Sequence, residues 1–190
     1  MTLRLNVIIA STRPGRVGPV FGKWFDNFAR QHGRFDPVLV DLADFNLPVY
    51  DEPRHPRLAQ YEHEHTKAWA ASVKSADAFV LVTPEYNYFA APSLVNALNF
   101  VLSEWHYKPA GFLSYGGVSG GLRAVQSAKP LLTSLKIMPI PEGVPIFSYQ
   151  QHLDADGVFK PTEIIEKSAT TMLDELHRWA EALKPLRGAA

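Results

Sequence analysis

The chain has 190 residues, 46% of them hydrophobic and 12% aromatic, which suits one domain with a sizeable core, since single domains commonly hold roughly 100 to 200 residues. Lysine plus arginine number 19 and so do aspartate plus glutamate, so no global field favours nucleic acid or an anionic membrane, and any anion site has to be local. Cysteine is absent, which excludes disulfides, thiolate nucleophiles and cysteine-held clusters and leaves redox chemistry to a cofactor.

No run of about 18 apolar residues offers a membrane span, and the opening Met1-Thr2-Leu3-Arg4-Leu5 lacks a signal-peptide pattern. The expectation is one domain over 1–190, resident in the cytoplasm. Its first apolar run, 3–10, predicts a strand that opens onto the loop Ser11-Thr12-Arg13-Pro14-Gly15-Arg16-Val17-Gly18. A helix is expected from Pro19, burying Val20, Phe21, Trp24, Phe25 and Phe28 at spacings of three and four. A second strand covers 35–41, and the proline-rich stretch 47–56 reads as a loop flanking a crevice or a partner.

The second predicted helix spans 57–75; His63 and His65, two apart on it, should face nearly opposite sides, as solvated residues beside Glu62 and Glu64 rather than a metal pair. Strand three, 78–83, runs into Pro84-Glu85-Tyr86-Asn87-Tyr88, and the third helix starts at Pro92 and continues through Leu98 and Val101 to Trp105. Strand four, 110–115, meets the glycine-rich loop Ser114-Tyr115-Gly116-Gly117-Val118-Ser119-Gly120-Gly121, and a helix beginning near Ser119 follows. Strand five, 136–147, is broken by Pro139, Pro141 and Pro145; the last helix, 162–184, carries one apolar stripe, and the tail 185–190 should fray. The alternation of strand and helix predicts an α/β, flavodoxin-like fold: a five-stranded parallel sheet in the order 2-1-3-4-5 with helices on both faces.

In such a sheet, loops leaving the carboxyl ends of strands line one crevice. The first loop offers Ser11 and Thr12 hydroxyls, Arg13 and Arg16 forks, and backbone amides around Gly18, Pro19 and Val20 at a helix N-terminus, a donor set for a phosphate. Neither a Gly-x-Gly-x-x-Gly nor a Walker loop is present. The second loop can stack and edge-bond a flat heteroaromatic ring, with Glu85 and Asn87 orienting it, or Tyr86 and Tyr88 can simply pack on the core. The third loop lets backbone approach a ring edge closely. Its Gly117-Val118-Ser119-Gly120-Gly121 also fits a nucleophile elbow, so an esterase using Ser119 with Asp154, Asp156 or Asp174 and His177 stays an alternative.

Together the three loops resemble the NAD(P)H-dependent FMN reductase family over about residues 3 to 145. The resemblance rests on Pro84-Glu85-Tyr86-Asn87 followed by Pro92-Ser93-Leu94-Val95-Asn96-Ala97-Leu98-Asn99, and on Ser114-Tyr115-Gly116-Gly117-x-Ser119-Gly120-Gly121-x-Arg123-Ala124. It implies FMN as cofactor, NADPH or NADH as hydride donor, and a small-molecule electron acceptor such as free flavin, quinone or an azo compound. It also implies a homodimer or homotetramer. Ser11, Arg13, Arg16 and the amides near Gly18 to Val20 would hold the FMN phosphate, Pro84 to Asn87 the isoalloxazine, and Tyr115 to Gly117 its pyrimidine edge. The flavin N5 carries the hydride, so no catalytic side chain is demanded and no metal is expected.

The chain departs from the family at Phe89, Ser93, Val95 and Asn99, in the stretch where substrate access and the subunit contact are expected. Phe89, Phe100, Trp105 and Tyr107 are candidates for that contact or for the core, and Arg54, Arg57 or Lys108 for a 2′-phosphate or for solvent. A non-enzymatic flavin-binding or redox-sensing protein is the alternative within the fold.

Overall fold

The computed structural model describes residues 2–187; the end of the tail expected to fray, 188–190, lies outside them. Six strands form the sheet: β1 Leu3–Ile9, β2 Phe35–Asp41, β3 Ala78–Tyr86, β4 Phe89–Ala90, β5 Lys108–Tyr115 and β6 Ile137–Ile146. Five lie in the order β2-β1-β3-β5-β6, all parallel, and β4 pairs antiparallel with β3 as a short hairpin. The expected five-strand order is thus present, with β4 added.

The helices are α1 Gly18–His32, α2 Leu42–Phe45, α3 Glu64–Ser75, α4 Pro92–Phe100, α5 Leu122–Ser134 and α6 Glu163–Arg187. α6 therefore carries part of the tail, through Arg187. The strands are central or peripheral according to their side chains. β3 is buried along seven of its nine residues and β5 along all eight, as strands covered on both faces require. The outer strands carry Pro37 in β2 and Pro139, Pro141 and Pro145 in β6, where a missing N–H costs the ladder least; the central strands carry one proline each, Pro84 near the end of β3 and Pro109 near the start of β5.

Alternation along β3 divides the core. Phe79 and Leu81 join Trp69, Leu94, Leu98 and Trp105 under α3, α4 and α5. Val80 and Val82 join Phe21, Phe25, Met172 and Leu176 under α1 and α6. Phe100 and Trp105, candidates for a subunit contact, are 0% and 1% exposed and belong to the first of these clusters. Indole donors tie the helices there: Trp69 Nε1 donates to the Ala97 carbonyl at 2.8 Å and Trp105 Nε1 to that of Leu98 at 3.2 Å.

Three helix boundaries differ from the sequence expectation. The stretch 57–75 divides into a 3-10 turn at Pro56–Leu58 and α3 from Glu64, because Ala59 takes a left-handed conformation (φ 48°) between them. α4 stops at Phe100, with Trp105 on a separate turn. α5 begins three residues after Ser119, once Gly120 and Gly121 have turned the chain through positive φ.

The later start of α3 also corrects the reading of His63 and His65. His63 is the extended N-cap rather than a helical residue, so the two imidazoles stack at 5.2 Å and 14° and both reach Asp51, His65 at 3.0 Å. The proline-rich loop that carries Asp51 is pinned to α4: Asn96 donates to the Pro48 carbonyl at 2.6 Å and accepts from the Tyr50 amide at 3.1 Å.

Candidate functional site

Parallel connectivity sends the loops after β1, β3 and β5 to the same end of the sheet. They meet at a small cleft of about 160 Å³. Arg13 and Arg16 come from the first loop, Pro84 to Tyr86 from the second and Tyr115 to Gly117 from the third. Tyr149, just past β6, closes the remaining side. Sequence reasoning passed over Tyr149, whose signal is only positional: it leaves the carboxyl end of a fourth strand.

The first loop is shaped by close packing. Ser11 is fully buried, and its Oγ accepts from the Tyr115 hydroxyl at 3.3 Å, joining the first and third loops. Gly18 is required beneath this contact, because a Cβ there would collide with Ser11 Oγ and lie 3.0 Å from the Tyr115 hydroxyl. Burial pushes the Tyr115 phenol up to about 12, so it remains a neutral donor.

α1 then begins at Gly18 and Pro19 with no capping side chain and no acidic residue in its first turn. That leaves the positive end of its dipole uncompensated. The two arginines differ. Arg16 donates to Asp41 at 2.6 and 2.8 Å and to the Ser11 carbonyl at 2.6 Å, and Asp41 holds its guanidinium charge more firmly than usual. Arg13 is exposed and, among the described residues, reaches only the neighbouring Pro14 carbonyl, at 3.4 Å. Arg16 thus braces the loop from within, while Arg13 offers its donors outward. Thr12 turns toward an adjoining cleft beside Ser93 and Asn96.

In the second loop, Asn87 (φ 51°) and Tyr88 (φ 70°) form a two-residue turn between β3 and β4. Positive φ at both central residues is the type I′ pattern, which favours Asn then Gly, so Tyr88 occupies a strained position. It is 68% exposed, and the Arg123 guanidinium lies 3.7 Å from its ring centre.

Glu85 does not point a free carboxylate into the cleft. Ser119 Oγ donates to it at 2.8 Å, Arg123 Nε at 2.6 Å and the Arg123 amide at 3.2 Å, and these contacts hold it ionised, with its pKa lowered. The third loop is pinned as well: Ser114 Oγ donates to the Gly120 carbonyl at 2.8 Å, and the Ser148 amide to that of Gly117 at 2.8 Å. A Cβ at Gly117 would meet nothing within 4 Å, so the loop presents bare backbone to the cleft.

The residues of the esterase alternative are not brought together. Ser119 is a donor to Glu85, His177 packs edge-on against Phe35 at the start of β2, and Asp174 pairs with Arg34 and His32. Asp154 accepts from the Val158 amide and pairs with Lys160. Lys108 is neither a phosphate contact nor solvated. It is buried at the opposite end of the sheet, where it donates to the Val73 and Lys74 carbonyls at 2.8 and 3.1 Å.

The sequence profile of the NADPH-dependent FMN reductases matches residues 3–152. An NAD(P)H-dependent FMN reductase of Schizosaccharomyces pombe is 36% identical over 163 residues, 85% of this chain and 80% of that one. An NADPH azoreductase of a Bacillus species is 34% identical over 113 residues, 58% of this chain and 61% of that one. Among solved structures, the flavoenzyme NAD(P)H:acceptor oxidoreductase of Paracoccus denitrificans superposes with a TM-score of 0.72 at 21% identity, covering 95% of this chain and 98% of that one.

Proposed function

Because the chain belongs to the NADPH-dependent FMN reductase family, we propose that the cleft binds FMN across its three loops, takes hydride from NADPH or NADH, and delivers the electrons to free flavin, quinone or a similar small acceptor. The observation that carries the assignment to this cleft is the pairing of an outward-facing Arg13 with an uncapped α1 N-terminus, in a cleft that is also lined by backbone left bare at Gly117. The donor set suits a phosphate and the bare glycine suits the edge of a flat ring.

FMN supplies the hydride-accepting centre at its N5. The chain's own residues bind and orient. Arg13 and the first turn of α1 take the phosphate, with Arg16 and Asp41 keeping that loop in shape. Pro84 and Tyr86 would wall the ring, Gly116 and Gly117 would meet its edge, and Tyr115 and Tyr149, which also line the cleft, would help to exclude water. No side chain is assigned a proton transfer. Consistent with small diffusible substrates, no described helix is long and apolar enough to cross a membrane.

A single domain, residence in the cytoplasm and assembly as a homodimer or homotetramer go with this reading. The exposed apolar residues Tyr88, Phe89, Val118 and Phe147 near the cleft mouth support such assembly, and sedimentation of the purified protein tests it. The function itself is tested by colour: purified protein should carry or take up a yellow chromophore absorbing near 450 nm, roughly the band of oxidised flavin, and anaerobic NADPH or NADH should bleach it. A protein that takes up no FMN sinks the reading, and bound FMN that neither nucleotide bleaches leaves a flavin binder.

A further inference from the structure

We infer that Arg123 is a positioning residue for the flavin slot: with Ser119 it locks the Glu85 carboxylate between the second and third loops, and by balancing that charge it keeps the slot receptive to added electrons. The inference rests on the flavin reading above. Three observations carry it.

First, Glu85 lines the cleft, yet its side chain is only 7% exposed. A charge so placed is costly unless paired and hydrogen-bonded. All its side-chain partners come from one direction, the Ser119 hydroxyl and the Arg123 fork and amide. Glu85 is therefore a junction between two loops rather than a ligand contact. Second, among the described residues Arg123 is the only cation paired with Glu85, so the neutrality of this wall depends on one side chain.

Third, the same guanidinium stacks on Tyr88, the residue at φ 70° in a turn position that favours glycine. Strained turn residues persist where the surroundings over-determine them, and here the stack and the ion pair do so together. The Ala90 amide, donating to Ser127 Oγ at 3.1 Å, fastens the other side of the hairpin to α5.

Removing Arg123 should then have two separable effects. The hairpin tip loosens, and an unbalanced carboxylate remains in the wall of the slot, where it opposes the addition of electrons to a ring held there. A merely structural role would weaken oxidised and reduced FMN equally.

The experiment compares wild type with Arg123→Met, Arg123→Lys and Arg123→Met/Glu85→Gln. It reads amide exchange at Asn87–Ala90 in the flavin-free protein, the Kd for oxidised FMN, and the midpoint potential of bound FMN. Arg123→Met should speed hairpin exchange about tenfold and raise the ratio of reduced to oxidised Kd about tenfold, a fall of roughly 30 mV for a two-electron couple. Arg123→Lys should restore most of the ratio but not the hairpin protection, since a lysine keeps the charge and loses the planar fork. The double variant should restore the ratio while the hairpin stays loose.

Should Arg123→Met fail to fold, Glu85→Gln alone serves: it leaves the cation in excess, so the potential should rise. FMN uptake with an unchanged ratio in Arg123→Met or in Glu85→Gln, or unchanged hairpin exchange in Arg123→Met, overturns the inference. Wild-type protein that takes up no FMN overturns the flavin reading, and the charge role with it.

Discussion

The two ends of the sheet hold opposite kinds of hollow. At the amino ends of the strands lie cavities of about 540 and 580 Å³, several times the 160 Å³ of the cleft at the carboxyl ends. Several of the charges around the larger cavities are paired locally. Arg187 pairs with Asp77 at 3.0 Å, Arg34 and His32 share Asp174, and Lys108 caps the end of α3. At the carboxyl end, Arg13 and the first turn of α1 have no acidic partner among the described residues. Unsatisfied donors mark the candidate site better than empty volume does.

That contrast can be broken at several points. The largest expected effect is from Gly18→Val, whose side chain would displace Ser11 and Tyr115. Overpacking costs about 1–3 kcal/mol, and because the strain falls on the phosphate loop, fluorescence titration should show FMN affinity reduced by up to roughly two orders of magnitude. Arg13→Ala removes charge-assisted bonds worth roughly 1.5–3 kcal/mol from FMN binding while leaving the melting temperature nearly unchanged. An unchanged Kd would refute the proposed grip.

Lys108→Met at the other end should do the reverse. It strips the donor from the buried Val73 carbonyl and the partly buried Lys74 carbonyl, at a cost of about 1–3 kcal/mol in denaturant unfolding, with FMN affinity unaltered. The pH dependence sharpens the same point. Burial lowers the Lys108 ammonium to about 8, against an ordinary lysine value of about 10.4. Between those values the unfolded chain binds the extra proton, so stability rises with pH there. Wild type should gain stability relative to Lys108→Met as the buffer is taken from pH 7 to pH 10; a constant difference would deny the shift.

The smallest effect is expected from Tyr88→Gly, which relieves a left-handed tyrosine but gives up its stack on Arg123. Each contribution is of order 1 kcal/mol, so the net change in unfolding free energy should stay within about 0.5 kcal/mol.

Much of this was legible in the residues, for identifiable reasons. β2 falls on 35–41 as read, and α1 starts within one residue of Pro19, because apolar periodicity and an N-terminal proline are local signals. The three strand-end loops do meet in one cleft, because parallel connectivity brings them to the same end of the sheet. What escaped depends on partners distant in sequence. Arg16 looks the equal of Arg13 until Asp41, 25 residues away, is brought beside it by the pairing of β1 with β2. Glu85 reads as a ring contact until Arg123 and Ser119 arrive from across the cleft. The β3–β4 hairpin contributes two residues to its second strand, too few for any alternation to register. Lys108 resembles any surface lysine until the end of α3 closes over it.

The prolines of the outer strands have a consequence for how copies of the chain can meet. A strand arriving along β6 would meet Pro139, Pro141 and Pro145, and one arriving along β2 would meet Pro37, residues with no N–H to offer. Both borders of the sheet are thereby blunted against edge-to-edge pairing, the route by which exposed strands nucleate fibrils and swapped assemblies. Association between copies is left to helices and loops, where contacts form and part without extending a ladder.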